Sequence, residues 1–222
     1  MTVSPEHGAA IDEWARALLS DPDMQQMGHG QSATDLGLGW LYYALARTQK
    51  PAHAVVIGSW RGFVPLILGK ALHDAGHGGT VTFVDPSLVD DFWADPARAA
   101  AQFARFGVSN VCHHRMTSQE FAASPAFAAL PPVGLLFVDG LHTFEQAKFD
   151  HETFVPFLTD DAVVLFHDSI RVRTSRIYGP DRAYEHRVKD YMDSLRADPA
   201  FEVLAFPLGD GLTLVRRRGA PA

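Results

Sequence analysis

Two short runs in the second half of the sequence carry side chains suited to acid–base or metal chemistry. Asp139-Gly140-Leu141-His142 follows the apolar run 133–138, and His167-Asp168 follows the apolar run 162–166. Each run reads as a buried strand, so both groups stand at strand exits, where adjacent strands bring such residues together. Carboxylate and imidazole suit a divalent ion such as Mg²⁺, Mn²⁺, Fe²⁺ or Zn²⁺, and the histidines tilt the set toward the transition metals. The same residues also have plainer uses. His142 can cap the helix that begins near Phe144, and His167-Asp168 can orient the loop behind its strand.

Earlier in the chain, Gly58-Ser59-Trp60-Arg61-Gly62 follows the apolar run 54–57. Glycine there lets the backbone approach a ligand, and the next helix offers free N–H groups at its start. A tight strand-to-helix turn with no ligand uses the same residues. The spacing differs from the G-x-G-x-x-G of a dinucleotide fingerprint, which counts against a nicotinamide dehydrogenase. Asp85 ends the next strand, where a carboxylate can accept two hydrogen bonds from a ribose diol or simply cap the turn before Pro86.

The elements that must position these groups alternate regularly. Strands are expected at 54–57, 80–84, 111–116, 133–138 and 162–166, separated by helices that include 96–106 and 119–129. A loop over 169–180 precedes a helix bearing Tyr184, Val188, Tyr191, Met192 and Leu195. Strands at 201–206 and 212–216 then flank Leu208-Gly-Asp-Gly211, a hairpin signal. The pattern predicts an α/β fold: a Rossmann-like, seven-stranded, mostly parallel sheet closed by an antiparallel C-terminal hairpin, with helices on both faces. Ligands of such sheets sit outside the carboxyl ends of the strands. Ahead of it, Ile11–Ser20 reads as a helix and residues 24–34 as a loop. Asp35 reads as the N-cap of a second helix.

Composition narrows the function classes. The 222 residues carry 19 basic and 26 acidic side chains, a formal charge of −7, which argues against nucleic acid or an anionic membrane as partner. One cysteine, Cys112, excludes a disulfide framework and reads as a small packed residue. Neither a signal segment nor a membrane span is visible, so a soluble, cytoplasmic protein is expected. The oligomeric state stays open, a homo-oligomer included.

The motifs Val-Val-Ile-Gly-Ser-Trp-Arg-Gly (55–62), Phe-Val-Asp (83–85), Phe-Val-Asp-Gly-Leu-His (137–142) and Leu-Phe-His-Asp (165–168) resemble class I S-adenosylmethionine-dependent methyltransferases. The Asp-Gly-x-His plus His-Asp combination is similar to the branch of macrocin- and novobiocin-type sugar O-methyltransferases and cephalosporin-hydroxylase-like proteins. The resemblance covers roughly residues 50–217. It implies residues 1–50 as a helical cover and 51–222 as the S-adenosylmethionine-binding domain. It also implies Gly58, Ser59, Trp60 and Gly62 at the methionine end of the cofactor, with Asp139 nearby. Asp85 falls on the ribose, Thr117-Ser118 on the adenine side, and Trp60 or Phe83 packs close by. Asp139 and Asp168, with His167, would hold a divalent ion that orients a substrate hydroxyl and lowers its pKa.

Two positions depart from the family pattern. Val56 stands where an acidic residue often precedes the first glycine, and Leu141 replaces the aspartate that serves as general base. His142 or His167 is therefore the expected base. The function implied is methyl transfer to an oxygen of a small molecule. A metal-independent N-methyltransferase and a non-catalytic nucleoside-binding protein are the alternatives.

Overall fold

Five segments form parallel strands: β1 (His53–Ile57), β2 (Thr80–Val84), β3 (Val111–His114), β4 (Val133–Val138) and β5 (Leu158–His167). The computed structural model describes residues 5–25 and 27–219. Two short strands, β6 (Arg173–Ser175) and β7 (Tyr184–His186), form a separate antiparallel hairpin. β8 (Phe201–Phe206) and β9 (Leu212–Arg217) complete a sheet of order β3-β2-β1-β4-β5-β9-β8. β9 runs antiparallel to β5, as the hairpin signal predicts.

β1 lies between β2 and β4, so the chain reverses direction across the sheet there and opens a crevice at the strand ends. Every residue of β1 and β4 is buried, as continuous apolar strands covered on both faces require. Alternate residues feed two cores. Val56, Phe83, Leu135, Phe137 and Leu165 join one with α1 (Pro5–Leu19), α2 (Leu38–Gln49), α3 (Phe63–Ala75) and α4 (Pro96–Arg105). Val55, Ile57, Leu136, Val138 and Phe166 join the other with α5 (Ser118–Ala122), α6 (Pro125–Ala128), α7 (Phe144–Phe154) and α8 (Val188–Ala197).

Several boundaries differ from the sequence reading. The helix expected over 119–129 is two, because Ser124 caps a new one with Pro125 in its first turn. The strand expected at 162 starts at Leu158. The helix expected to carry Tyr184 starts at Val188, and the supposed loop before it contributes β6. Asp35 does not cap α2. Its Oδ1 accepts from the Gly37 amide, and Gly37, at φ 57°, is the cap residue. Cys112 is exposed rather than packed. No helix among the described residues is long and apolar enough to cross a membrane.

Candidate active site

The exits of β1, β2, β4 and β5 enclose a cavity of about 470 Å³. On its β1 side the turn has tight backbone requirements. Gly58 has φ 70°, and a Cβ there would stand 2.2 Å from the Asp139 carbonyl oxygen. Only glycine tolerates both conditions. Trp60 is held at φ 46°, in the left-handed region a bulky residue rarely adopts. Gly62 caps α3 with φ 89°, and Ser59 Oγ accepts the amide of Val64 at 3.1 Å.

Asp85 faces this turn. Its carboxylate accepts the amides of Ser59 at 3.2 Å and Ser87 at 2.7 Å. Burial raises its pKa to about 6 against the pull of those two amides. Trp60 lines the cavity, with its indole donating to Asp90 at 3.0 Å. Phe83 does not. It is fully buried among Trp93, Phe103 and His113, on the core side of its strand, because side chains alternate along β2.

At the exit of β3, Thr117 closes a capping box with Glu120, which engages its hydroxyl at the start of α5. Ser118 lines the cavity and accepts from Gln146 Nε2 at 2.9 Å. Gln146 also donates to Asp150 Oδ1 at 2.7 Å. Asp150 Oδ2 is buried without a partner, and burial raises this carboxyl to about 6. Neither Gln146 nor Asp150 was expected at the site. Both lie on the cavity-facing side of α7, four residues apart, one helical turn.

The other half of the cavity is built from charge. Asp139 Oδ1 lies 2.9 Å from His167 Nδ1 and 3.2 Å from His142 Nε2. Asp139 Oδ2 faces His29 Nε2 at 3.6 Å. Burial opposes ionisation of Asp139, but the surrounding imidazoles outweigh it and hold the carboxyl far below the usual range. Burial likewise opposes charge on His167, yet Asp139 and Asp168 raise it to about 9. His29 goes the other way. Burial, with His167 beside it, lowers it to about 3, so this ring is neutral.

His29 was expected on a loose loop. Its ring is instead buried against Phe63 and Tyr42, with Nδ1 3.1 Å from the Tyr42 hydroxyl. Its backbone is fixed too, since its carbonyl accepts the Leu38 amide at the start of α2. The sequence signal was present in Gly28 and Gly30, both at positive φ on either side of the histidine. His186 is the second unforeseen residue. β7 places its Nδ1 3.2 Å from Asp168 Oδ2, while its ring stacks on His142 at 4.3 Å.

The structure thus brings together the expected ion ligands Asp139, His167 and Asp168, yet Asp139 Oδ1, both His167 nitrogens and Asp168 Oδ2 are engaged. His167 directs Nδ1 at Asp139 and Nε2 at the Gly28 carbonyl, 3.2 Å away. A ring that donates from both nitrogens has no lone pair for a metal. Asp168 Oδ2 receives Arg173 Nη2. His142, Asp168 and His186 form a second acid–imidazole group. Its two rings lie nearly parallel, at 15°, and stacked. A metal lies close to the plane of an imidazole that binds it, and two stacked planes do not meet at one ion. In this arrangement neither group fits a divalent ion.

His142 has a different opportunity. Asp139 takes its Nε2, and its Nδ1 is buried without a hydrogen-bond partner, in a residue lining the cavity. A carboxylate that fixes one ring nitrogen and leaves the other free is the arrangement of a general base.

Residues 55–169 match the methyltransferase domain family, and the chain belongs to it as a class I S-adenosylmethionine-dependent methyltransferase, an enzyme. No curated protein matches the chain by sequence. A methyltransferase structure from Geobacter sulfurreducens is similar over 99% of this chain and 98% of its own, at 19% identity and TM-score 0.65. The O-methyltransferase TomG of Streptomyces achromogenes, involved in tomaymycin synthesis and solved with S-adenosylmethionine, is similar over 98% and 100%, at 18% identity and TM-score 0.63. An O-methyltransferase from Bacillus cereus, solved with S-adenosylhomocysteine, is similar over 94% and 97%, at 15% identity and TM-score 0.62. These three likenesses establish the shared fold.

Proposed function

We propose that this methyltransferase moves the methyl group of S-adenosylmethionine to an oxygen of a small molecule. The observation that carries the reading is the Asp139–His142 pair. It leaves an unpartnered imidazole nitrogen on a residue that lines the same cavity as the Gly58 turn and Asp85. Asp85 accepts the ribose hydroxyls, Gly58, Ser59, Trp60 and Gly62 surround the methionine end beside Asp139, and Thr117-Ser118 flank the adenine. Residues 1–50 act as a cover whose inner contact is Gly28-His29.

The methyl donor supplies an electrophilic carbon on a positive sulfur. The acceptor oxygen forms its bond to that carbon while the carbon–sulfur bond breaks and its electron pair stays on sulfur. His142 Nδ1 takes the hydroxyl proton, and Asp139 steadies the imidazolium that results. Holding oxygen, methyl and sulfur in line supplies much of the acceleration. The divalent ion expected from the sequence has no part in these steps, because both nitrogens of His167 and one oxygen each of Asp139 and Asp168 are held by protein groups. A cavity of about 470 Å³ and the net negative charge support a small molecule as acceptor, and no nucleic acid.

Calorimetry with S-adenosylmethionine, S-adenosylhomocysteine and NAD tests the first half of the reading. Heat from the first two and none from NAD is the expected result, and the reverse would sink it. A panel of hydroxylated small molecules, followed by mass spectrometry for an added methyl group, then finds the acceptor. With that acceptor, His142→Ala should lower kcat about 10²–10⁴-fold while S-adenosylhomocysteine binding stays unchanged.

A further inference from the structure

The hairpin β6–β7 hangs over the charged half of the cavity, and its register pairs Arg173 directly with His186. It therefore delivers two side chains to one carboxylate: Arg173 Nη2 bonds Asp168 Oδ2, and His186 Nδ1 lies 3.2 Å from the same oxygen. Arg173 is also drawn toward Asp210, with Nε 3.4 Å from its Oδ2. Among the described residues no acceptor is bonded to its Nη1, and the residue lines the cavity with 36% of its side chain exposed.

Building on the methyl-transfer reading, we propose that Arg173 occupies the place of a divalent ion on Asp168, so that methyl transfer is metal-independent and the guanidinium is the positioning charge for the acceptor oxygen. Three arrangements support it. Asp168 already has its compensating positive charge in Arg173, through a charge-assisted hydrogen bond. His167 offers no lone pair, since Asp139 and the Gly28 carbonyl take both its nitrogens. The stacking of His142 on His186 keeps their lone pairs from converging on one point. A fixed cation beside the reacting oxygen does part of an ion's work, favouring the anion that forms as the proton leaves. It also ties acceptor recognition to the hairpin, whereas the other charged groups stand on strand exits and in the N-terminal segment.

The test needs no acceptor. Purified full-length protein is titrated with Mn²⁺ alone, and free ion is read by electron paramagnetic resonance. Wild type and Arg173→Lys should leave the Mn²⁺ signal at its buffer value. With the guanidinium gone, Asp168 Oδ2 is free and His186, which shares that oxygen with Arg173, can turn out of its stack on His142 to join it, so Arg173→Ala and the neutral, better-packed Arg173→Gln should each take up one ion per chain, and adding Asp168→Asn to either should abolish the uptake. Stoichiometric binding by wild type overturns the proposal. So does absence of binding by both neutral variants in samples that unfold cooperatively on heating. S-adenosylhomocysteine calorimetry on the same samples keeps the two readings separate. Loss of that heat in wild type would refute the methyl-transfer reading, while the Mn²⁺ result would still report on Arg173.

Discussion

The two halves of the cavity use the same residue types to opposite electrostatic ends. On the side proposed to hold the cofactor, Asp85 and Asp150 have only neutral partners, and burial raises both carboxyls to about 6. On the side proposed for the acceptor, Asp139 and Asp168 are buried as well, yet imidazoles hold them well below the usual range. Amide and hydroxyl groups are enough to place a carboxylate, but they do not keep it charged when water is removed. Cationic partners do. One half is therefore poised to bind a polar ligand, and the other is held permanently charged.

Removing a charge from the acceptor side should have the largest effect. His167→Ala leaves Asp139 buried with its shortest hydrogen-bond partner gone, and should cost about 3–5 kcal/mol in urea unfolding. A loss near zero would show that His142 and His29 suffice. The same residue sets an alkaline limit. A histidine raised to about 9 contributes stability that is fully present below its ordinary value of 6.5 and lost as pH rises through about 9. Wild-type Tm should fall across that window, and His167→Gln should flatten the fall.

Asp85→Asn tests the cofactor side. It should weaken S-adenosylhomocysteine binding by about 1.5–3 kcal/mol, measured by calorimetry at neutral pH. Wild-type affinity should drop as pH falls through about 6, where Asp85 gains a proton, and the variant should show no such dependence. An unchanged affinity in Asp85→Asn would assign the carboxylate to the turn alone.

Asp150 should give the smallest effect, and of opposite sign to His167→Ala. Its raised pKa means that stability is full below the ordinary value of 3.8 and declines as pH rises through about 6. Asp150→Asn removes that decline and should stabilise the ligand-free protein at neutral pH by about 1 kcal/mol, inside the ceiling of about 3 kcal/mol that the rise to about 6 sets. Destabilisation instead would mean that Asp150 is ionised and paired in solution.

The halves also differ in how far the sequence exposed them. Gly58, Asp85, Asp139 and His167-Asp168 each end an apolar run, and strand order then brings them together, so local pattern finds them. His29, His186 and Arg173 reach the same cavity by other routes. His29 lies far from the strands, and only its flanking glycines mark it. His186 belongs to a three-residue strand, too short to show alternation, and Tyr184 and Val188 at helical spacing drew it into a helix. Arg171, Arg173 and Arg176 share the loop after β5, which reads equally as a substrate wall or as a solvated basic loop, and nothing in the sequence ranks Arg173 above the other two. Asp150 and Gln146 needed the docked orientation of α7, which burial of Ala147, His151 and Phe154 decides.

The acceptor for His167 Nε2 is the carbonyl of Gly28, a main-chain atom. No exchange of side chain at that position can delete the oxygen. What holds it there is the course of the polypeptide, namely the positive φ of Gly28 and the carbonyl of His29 anchored on α2. Drift in the sequence of this segment can therefore leave the centre intact as long as the path is kept. Insertions and deletions between α1 and α2 are the changes that would break it.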